Sequence, residues 1–202
     1  MQPQRYGYDM KLIIASNNAH KVKEIKKILS GKFEEILSLR EAGVSHETLE
    51  DGMTFMENAI KKAREICEIT GAAALADDSG ICVDALEGAP GIYSARYASS
   101  ACCNASDEAN NALLLANLRD KEDWSAHYTS AIALVYPDGR VVEAEGYMYG
   151  RIIDTPRGER GFGYDPIFVM DGEERTVAEM SDEEKNAVSH RANALQLLLS
   201  KI

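Results

Sequence analysis

Cysteine is scarce in this chain and poorly placed for structural work. The four thiols are Cys67, Cys82, Cys102 and Cys103; they make no metal-ligand spacing, and two of them are adjacent. Neither a disulfide scaffold nor a zinc site is readable from them, and no histidine-coupled nucleophile accompanies them. Free thiols in a reducing cytosol fit best, so a cytoplasmic location is expected. No apolar run reaches the length that crosses a bilayer. Residues 1–9 have neither the apolar stretch of a signal peptide nor the arginine bias of a transit peptide. They read as a flexible extension to a single domain over 10–202. Basic charge is short as well. A net charge of -11 argues against a polyanion such as duplex DNA, whose binding needs a basic face. It leaves room for a small anion, which needs only a few local cations and a metal. There is no phosphate loop ending in Gly-Lys-Ser/Thr, no Asp-x-Asp after the first strand-like run, and no repeat. His46 and His127 sit in no pattern of acids or cysteines that suggests a metal, although Glu47 follows His46.

What is present is an ordinary soluble composition. The 202 residues are 45% apolar and 27% charged, enough for one substantial core or for a core with a smaller second lobe. Residues 11–15 read as a buried strand, and 22–29 carry apolar residues at helical spacing up to Gly31. A strand is expected over 36–39 and a long helix over 54–70, ended by Gly71. Residues 72–76 read as a strand that runs into a turn at Ser79-Gly80, with 81–86 continuing extended. A third helix is expected over 107–118, capped by Ser106 or Asp107. Strands over 124–136 and 140–149 flank Pro137-Asp138-Gly139, a hairpin turn. A Gly- and Arg-rich loop over 151–165 leads to a short strand at 167–169. Ser181 to Glu184 fits a capping box, and 189–199 is a closing helix. This mixture predicts an α/β fold with a mixed sheet.

The most informative stretch is Ala76-Asp77-Asp78-Ser79-Gly80. Adjacent carboxylates repel and are costly to desolvate unless a cation meets them. Magnesium suits hard oxygen ligands. On the pair alone, an exposed Asx turn fits slightly better than a metal site. Other groups shift that balance. Ser16-Asn17-Asn18-Ala19-His20-Lys21 joins the first strand to the first helix, where backbone N–H groups attract anions and Lys21 can reach back to a phosphate. His20 reads as a surface residue. Glu50 precedes the second helix and Lys62 lies within it. The Gly161-Phe162-Gly163-Tyr164-Asp165 loop offers two aromatic rings to stack on a base and a carboxylate for a ring N–H, or else packs those rings inward. Lys185, His190 and Arg191 gather near the closing helix, where they can bind a carbonyl or a phosphate.

Taken together, these segments resemble the inosine triphosphate pyrophosphatase family, enzymes that remove non-standard purine nucleoside triphosphates. The matching residues are Ser16-x-Asn18-x-x-Lys21-x-x-Glu24, Thr54-Phe55-x-Glu57-Asn58-Ala59, Ala76 to Gly80, Gly88 to Arg96, Gly161 to Phe168, and Ser189-His190-Arg191. Six motifs in family order are specific where one alone is weak. The resemblance implies an elongated two-lobed α/β fold with a cleft, a homodimer, and hydrolysis of the bond between the α and β phosphates of a purine nucleoside triphosphate. It implies magnesium held by Glu50 and Asp78 with Asp77 close by, and Asp78 as general base. It implies phosphate contacts from Ser16 through Lys21, from Lys62 and from Ser79. Phe162, Gly163, Tyr164, Asp165, Lys185, His190 and Arg191 fall on the base-recognition side, with His190 and Arg191 as donors to a 6-oxo group.

Overall fold

The computed structural model describes residues 10–99 and 103–202; the expected N-terminal extension and Cys102 lie outside them. Eleven regular elements follow in order: β1 (Lys11–Ile14), α1 (Ala19–Ile28), β2 (Glu35–Ser38), α2 (Phe55–Thr70), β3 (Ala73–Val83), α3 (Asp107–Leu118), β4 (Ser125–Val135), β5 (Val141–Ile152), β6 (Phe168–Met170), α4 (Asp182–Val188) and α5 (His190–Leu199). The strands form one sheet in the order β2-β1-β3-β4-β5-β6. β1 runs parallel to both β2 and β3, whereas β6 is antiparallel to β5. The sheet is therefore mixed, as the alternation of helices and one long hairpin requires.

Local chemistry sets the element ends. The Asn18 side chain accepts from the His20 and Lys21 N–H groups and caps α1. Thr54 caps α2, and Gly71, at φ 66, closes it in the left-handed conformation that glycine tolerates. Ser106 caps α3, and Ser181 with Glu184 forms the capping box of α4. One expectation is overturned. β3 does not turn at Ser79-Gly80; it runs unbroken from Ala73 to Val83, so the acid pair lies in mid-strand. Glycine permits a turn but does not impose one, and here the flanking residues Ala76 and Ile81 are fully buried and hold the strand extended.

The chain divides into two compact units. One comprises the segments up to Asp78, Ser130–Gly146 and Arg191–Ile202; the other comprises Ser79–Thr129 and Tyr147–His190. In the first unit, strand alternation feeds two cores. Leu12, Ile14, Leu75, Ile132 and Leu134 meet Ile25 of α1, Leu29 at its C-terminal cap, and Leu195 and Leu198 of α5. On the opposite strand faces, Ile13, Ala74, Ala76, Ala131 and Ala133 meet Ala59, Ala63 and Ile66 of α2. In the second unit, Ile81, Val83, Tyr128 and Met148 pack with Leu114 and Leu118 of α3 and with Phe168.

Candidate active site

Successive side chains on a strand point to opposite faces. Asp77 and Asp78 are therefore neighbours in sequence and strangers in space. Asp77 shares a face with Leu75 and meets α1 and α5. Its Oδ2 lies 2.8 Å from Lys21 Nζ and accepts from Arg191 at 3.2 Å. Its Oδ1 accepts from the Ser130 hydroxyl on β4. Arg191 also binds Glu24 of α1 and is only 1% exposed. Burial works against the Asp77 charge, but Arg191, Lys21 and the Ser130 hydroxyl outweigh it and hold the carboxyl well below the usual carboxylate range. Arg191 is likewise opposed by burial and held cationic by Asp77 and Glu24.

Asp78 faces α2. Its Oδ1 accepts from Lys62 Nζ at 2.9 Å, and its Oδ2 accepts from Asn58 Nδ2 at 3.2 Å. Lys62 also donates to Glu50 Oε1 at 2.9 Å and to the Asp77 carbonyl at 3.1 Å. Burial disfavours the Lys62 charge, yet Asp78 and Glu50 together raise its pKa above the ordinary lysine value. Asn58 has a second task. Its Oδ1 accepts the Gly52 N–H at 2.8 Å, fastening the loop that carries Glu50. Gly52 has to be glycine for this, because a Cβ there would stand 2.7 Å from Asn58 Oδ1 and 2.9 Å from Glu57 Cβ.

These positions allow a test of the metal expectation. Glu50 Oε1 and Asp78 Oδ1 converge on a single cationic point, now Lys62 Nζ, at 2.9 Å each. Such a pair suits a hard divalent cation, and magnesium commonly takes one or two carboxylates and completes its shell with water and substrate phosphates. Among the described residues no three His, Cys, Asp or Glu side chains are gathered into an all-protein cage. The residues fit a magnesium shared with substrate. Asp77 lies on the other face of β3, where its oxygens meet Lys21, Arg191 and the Ser130 hydroxyl.

The second unit holds a different constellation. Asp165 is buried; its Oδ2 accepts from Lys185 Nζ at 2.7 Å and from the Phe162 N–H at 3.0 Å. Lys185 Nζ lies 4.7 Å from the centroid of the Phe162 ring. Gly163 is gripped from α3: its N–H donates to Asp107 Oδ2 at 2.6 Å, and its carbonyl accepts from Asn111 Nδ2 at 3.1 Å. Gly161 adopts φ +77, and a Cβ there would collide with the Asp165 carboxylate. His190 is buried and stacks on Tyr128, with centroids 4.7 Å apart and planes 10° from parallel.

Several expectations need correction. Tyr164 does not offer its ring to a base: it is 4% exposed in the core, with its hydroxyl donating to the Ser94 carbonyl at 2.8 Å. Arg191, expected on the base side, is buried in the first unit, where it binds Glu24 and Asp77. His46 Nε2 lies 2.7 Å from Glu65 Oε2, and His127 Nδ1 lies 4.0 Å from Asp84 Oδ1. Ser16 accepts from the Asn18 N–H, while Asn17, Asn18, Ala19 and His20 are exposed at the start of α1. Asn17 borders an open concavity of about 490 Å³ that Arg40 and His46 also line. Ser79 is partly exposed directly after Asp78. Four contributors escaped sequence reasoning as site residues: Glu24, Asn58, Tyr128 and Ser130. A signal existed for Asn58, a polar residue on the apolar face of α2, and for Glu24, a charge within the first motif.

Fold and site define a mixed-sheet α/β protein with a carboxylate pair and lysines suited to a divalent metal and phosphates. The chain belongs to the Ham1 family, whose profile matches residues 12–201. A protein of Geobacter sulfurreducens named dITP/XTP pyrophosphatase is 50% identical over 190 residues, covering 93% of this chain and 94% of that one. The solved Ham1 protein of Coxiella burnetii superposes with a TM-score of 0.85 at 39% identity, covering 96% of this chain and all of its own. The Ham1 protein of Staphylococcus aureus gives 0.84 at 40% identity over 95% and 97%.

Proposed function

We propose that this chain hydrolyses non-standard purine nucleoside triphosphates, those of inosine, deoxyinosine and xanthosine, to the nucleoside monophosphate and pyrophosphate, removing them from the nucleotide pool. The observation that carries this reading is the convergence of Asp78, midway along β3, and Glu50 on one cationic point. The name dITP/XTP pyrophosphatase, borne by relatives near 50% identity, supports it.

The residues divide the work. Asp78 is the general base: it orients a water against the α phosphorus and takes its proton as the phosphoanhydride bond breaks. Asn58 and Lys62 fix the Asp78 carboxylate so that one oxygen keeps its direction. Lys62 and Lys21, with the N–H groups at the start of α1, offset the negative charge that builds on the leaving pyrophosphate. Glu50 and Asp78 would hold magnesium, which when bound adds charge neutralisation to the phosphate oxygens and acidifies water. Asp77 and Arg191 serve as the buried ionic support behind Lys21. Phe162 stacks on the base, while Lys185 and His190 supply donors to its oxo edge. Adenine presents a donor where inosine presents an acceptor, and such a mismatch discriminates strongly. A cytoplasmic location and a homodimer complete the reading.

The test is product analysis on inosine triphosphate with magnesium. Inosine monophosphate and pyrophosphate in equal amounts are expected. Release of single phosphates, or binding without turnover, would overturn the reading.

A further inference from the structure

We infer that Tyr128 is a positioning residue for base recognition, fixing at once the plane of the His190 ring and the orientation of the Asp165 carboxylate. The inference rests on the nucleotide reading above. Tyr128 lies on β4 with its side chain in the core of the second unit, 7% exposed. One side of its ring stacks on His190 at 4.7 Å; Phe168 meets it edge-on at 4.9 Å and 66°. Its hydroxyl donates to Asp165 Oδ1 at 3.3 Å. A buried hydroxyl must find a partner, and this one finds it in the carboxylate that also holds Lys185 and the Phe162 N–H.

The direction of that hydrogen bond is settled by chemistry. Burial, and after it the Asp165 charge, push the Tyr128 phenol well above its ordinary range, so it remains a donor. Asp165 Oδ2 is already occupied by Lys185 and the Phe162 N–H. With Tyr128 on Oδ1, the carboxylate is held at both oxygens, and through it the Lys185 ammonium is held beside the Phe162 ring. One side chain thus sets the three groups assigned to the base: the His190 plane by stacking, and Lys185 and Phe162 by way of Asp165. Phenylalanine in its place would keep the stack and release the carboxylate; leucine would release both.

The experiment compares wild type, Tyr128→Phe and Tyr128→Leu. It measures kcat and KM for inosine and adenosine triphosphates, with product identification and thermal midpoints. Tyr128→Phe is expected to keep the fold and kcat while raising KM for inosine triphosphate. The kcat/KM ratio between the two substrates should narrow about tenfold, the scale of one hydrogen bond to a charged group. Tyr128→Leu should narrow it further. If Tyr128→Leu does not fold, Tyr128→Phe alone decides. An unchanged ratio in a folded Tyr128→Phe overturns the inference while wild-type turnover leaves the nucleotide reading standing. A wild type that releases no pyrophosphate from inosine triphosphate overturns both.

Discussion

The two clusters of polar side chains are built on different physics. In the first unit, Asp77, Asp78, Glu50, Glu24, Lys21, Lys62 and Arg191 hold one another by full charges around a single strand. In the second unit, Asp165 and Lys185 form one ion pair, and the rest is shape: glycines, a backbone N–H, stacked rings and two side chains of α3 clasping a loop. Charge suits a triphosphate, whose recognition is by total anionic load. Fixed planes and single donors suit a base, whose identity lies in one edge. Within the first cluster a second contrast appears. Asp77 is sealed among Lys21, Arg191 and the Ser130 hydroxyl, whereas Asp78 meets Lys62 and Asn58 of α2 and is the one assigned to metal and water in the proposed reading.

Breaking the charged cluster should have the largest consequences. Asp78→Asn removes the proton acceptor and a metal charge with little change of shape, so kcat is expected to fall about a hundredfold or more in steady-state assays. Arg191→Ala leaves Asp77 buried and short of its main partner. Denaturant titration should show a loss of about 3–5 kcal/mol, with the preference for inosine over adenosine triphosphate unchanged among folded molecules. A narrowed preference would return Arg191 to base reading.

Smaller changes sharpen the other side. Phe162→Ala should raise KM for inosine triphosphate roughly tenfold, since a stacked base is worth about 1–3 kcal/mol, with the thermal midpoint nearly unmoved because the ring is only half-buried. An unaltered KM would remove the stacking role. The mildest effect is expected from Glu50→Gln, which exchanges a carboxylate ligand for a weaker amide. Magnesium titration should show a higher concentration for half-maximal rate; an unchanged value would remove Glu50 from the metal set.

Much of the molecule was legible in the chain, and the failures have physical causes. Helix ends were readable because Asn18, Thr54, Gly71, Ser106 and the Ser181–Glu184 box act through local hydrogen bonds. The hairpin at Pro137-Asp138-Gly139 was readable for the same reason. The turn at Gly80 was misread because the rigidity of β3 there comes from Ala76 and Ile81 packing in two separate cores, which local sequence does not display. The site motifs did not display the pairings that the fold makes. Arg191 looked like a base donor because it follows His190; the structure sends the two side chains to different units. Asp77 adjoins Asp78 in sequence, while strand alternation sends the two carboxylates to opposite faces. Tyr128 carried no signal, because nothing in β4 shows that its hydroxyl would meet Asp165, 37 residues further along the chain.

The central claim is that the paired aspartates split support from chemistry. It is tested by measuring unfolding free energy, kcat and magnesium dependence for Asp77→Asn and Asp78→Asn side by side. Asp77→Asn is expected to lose about 3 kcal/mol of stability, since it leaves Arg191 and Lys21 without their shared carboxylate, and its residual activity should keep the wild-type magnesium dependence. Asp78→Asn should stay within about 1 kcal/mol of wild type and lose turnover. A stable Asp77→Asn with shifted magnesium dependence, beside a destabilised Asp78→Asn that keeps wild-type turnover, would contradict the account.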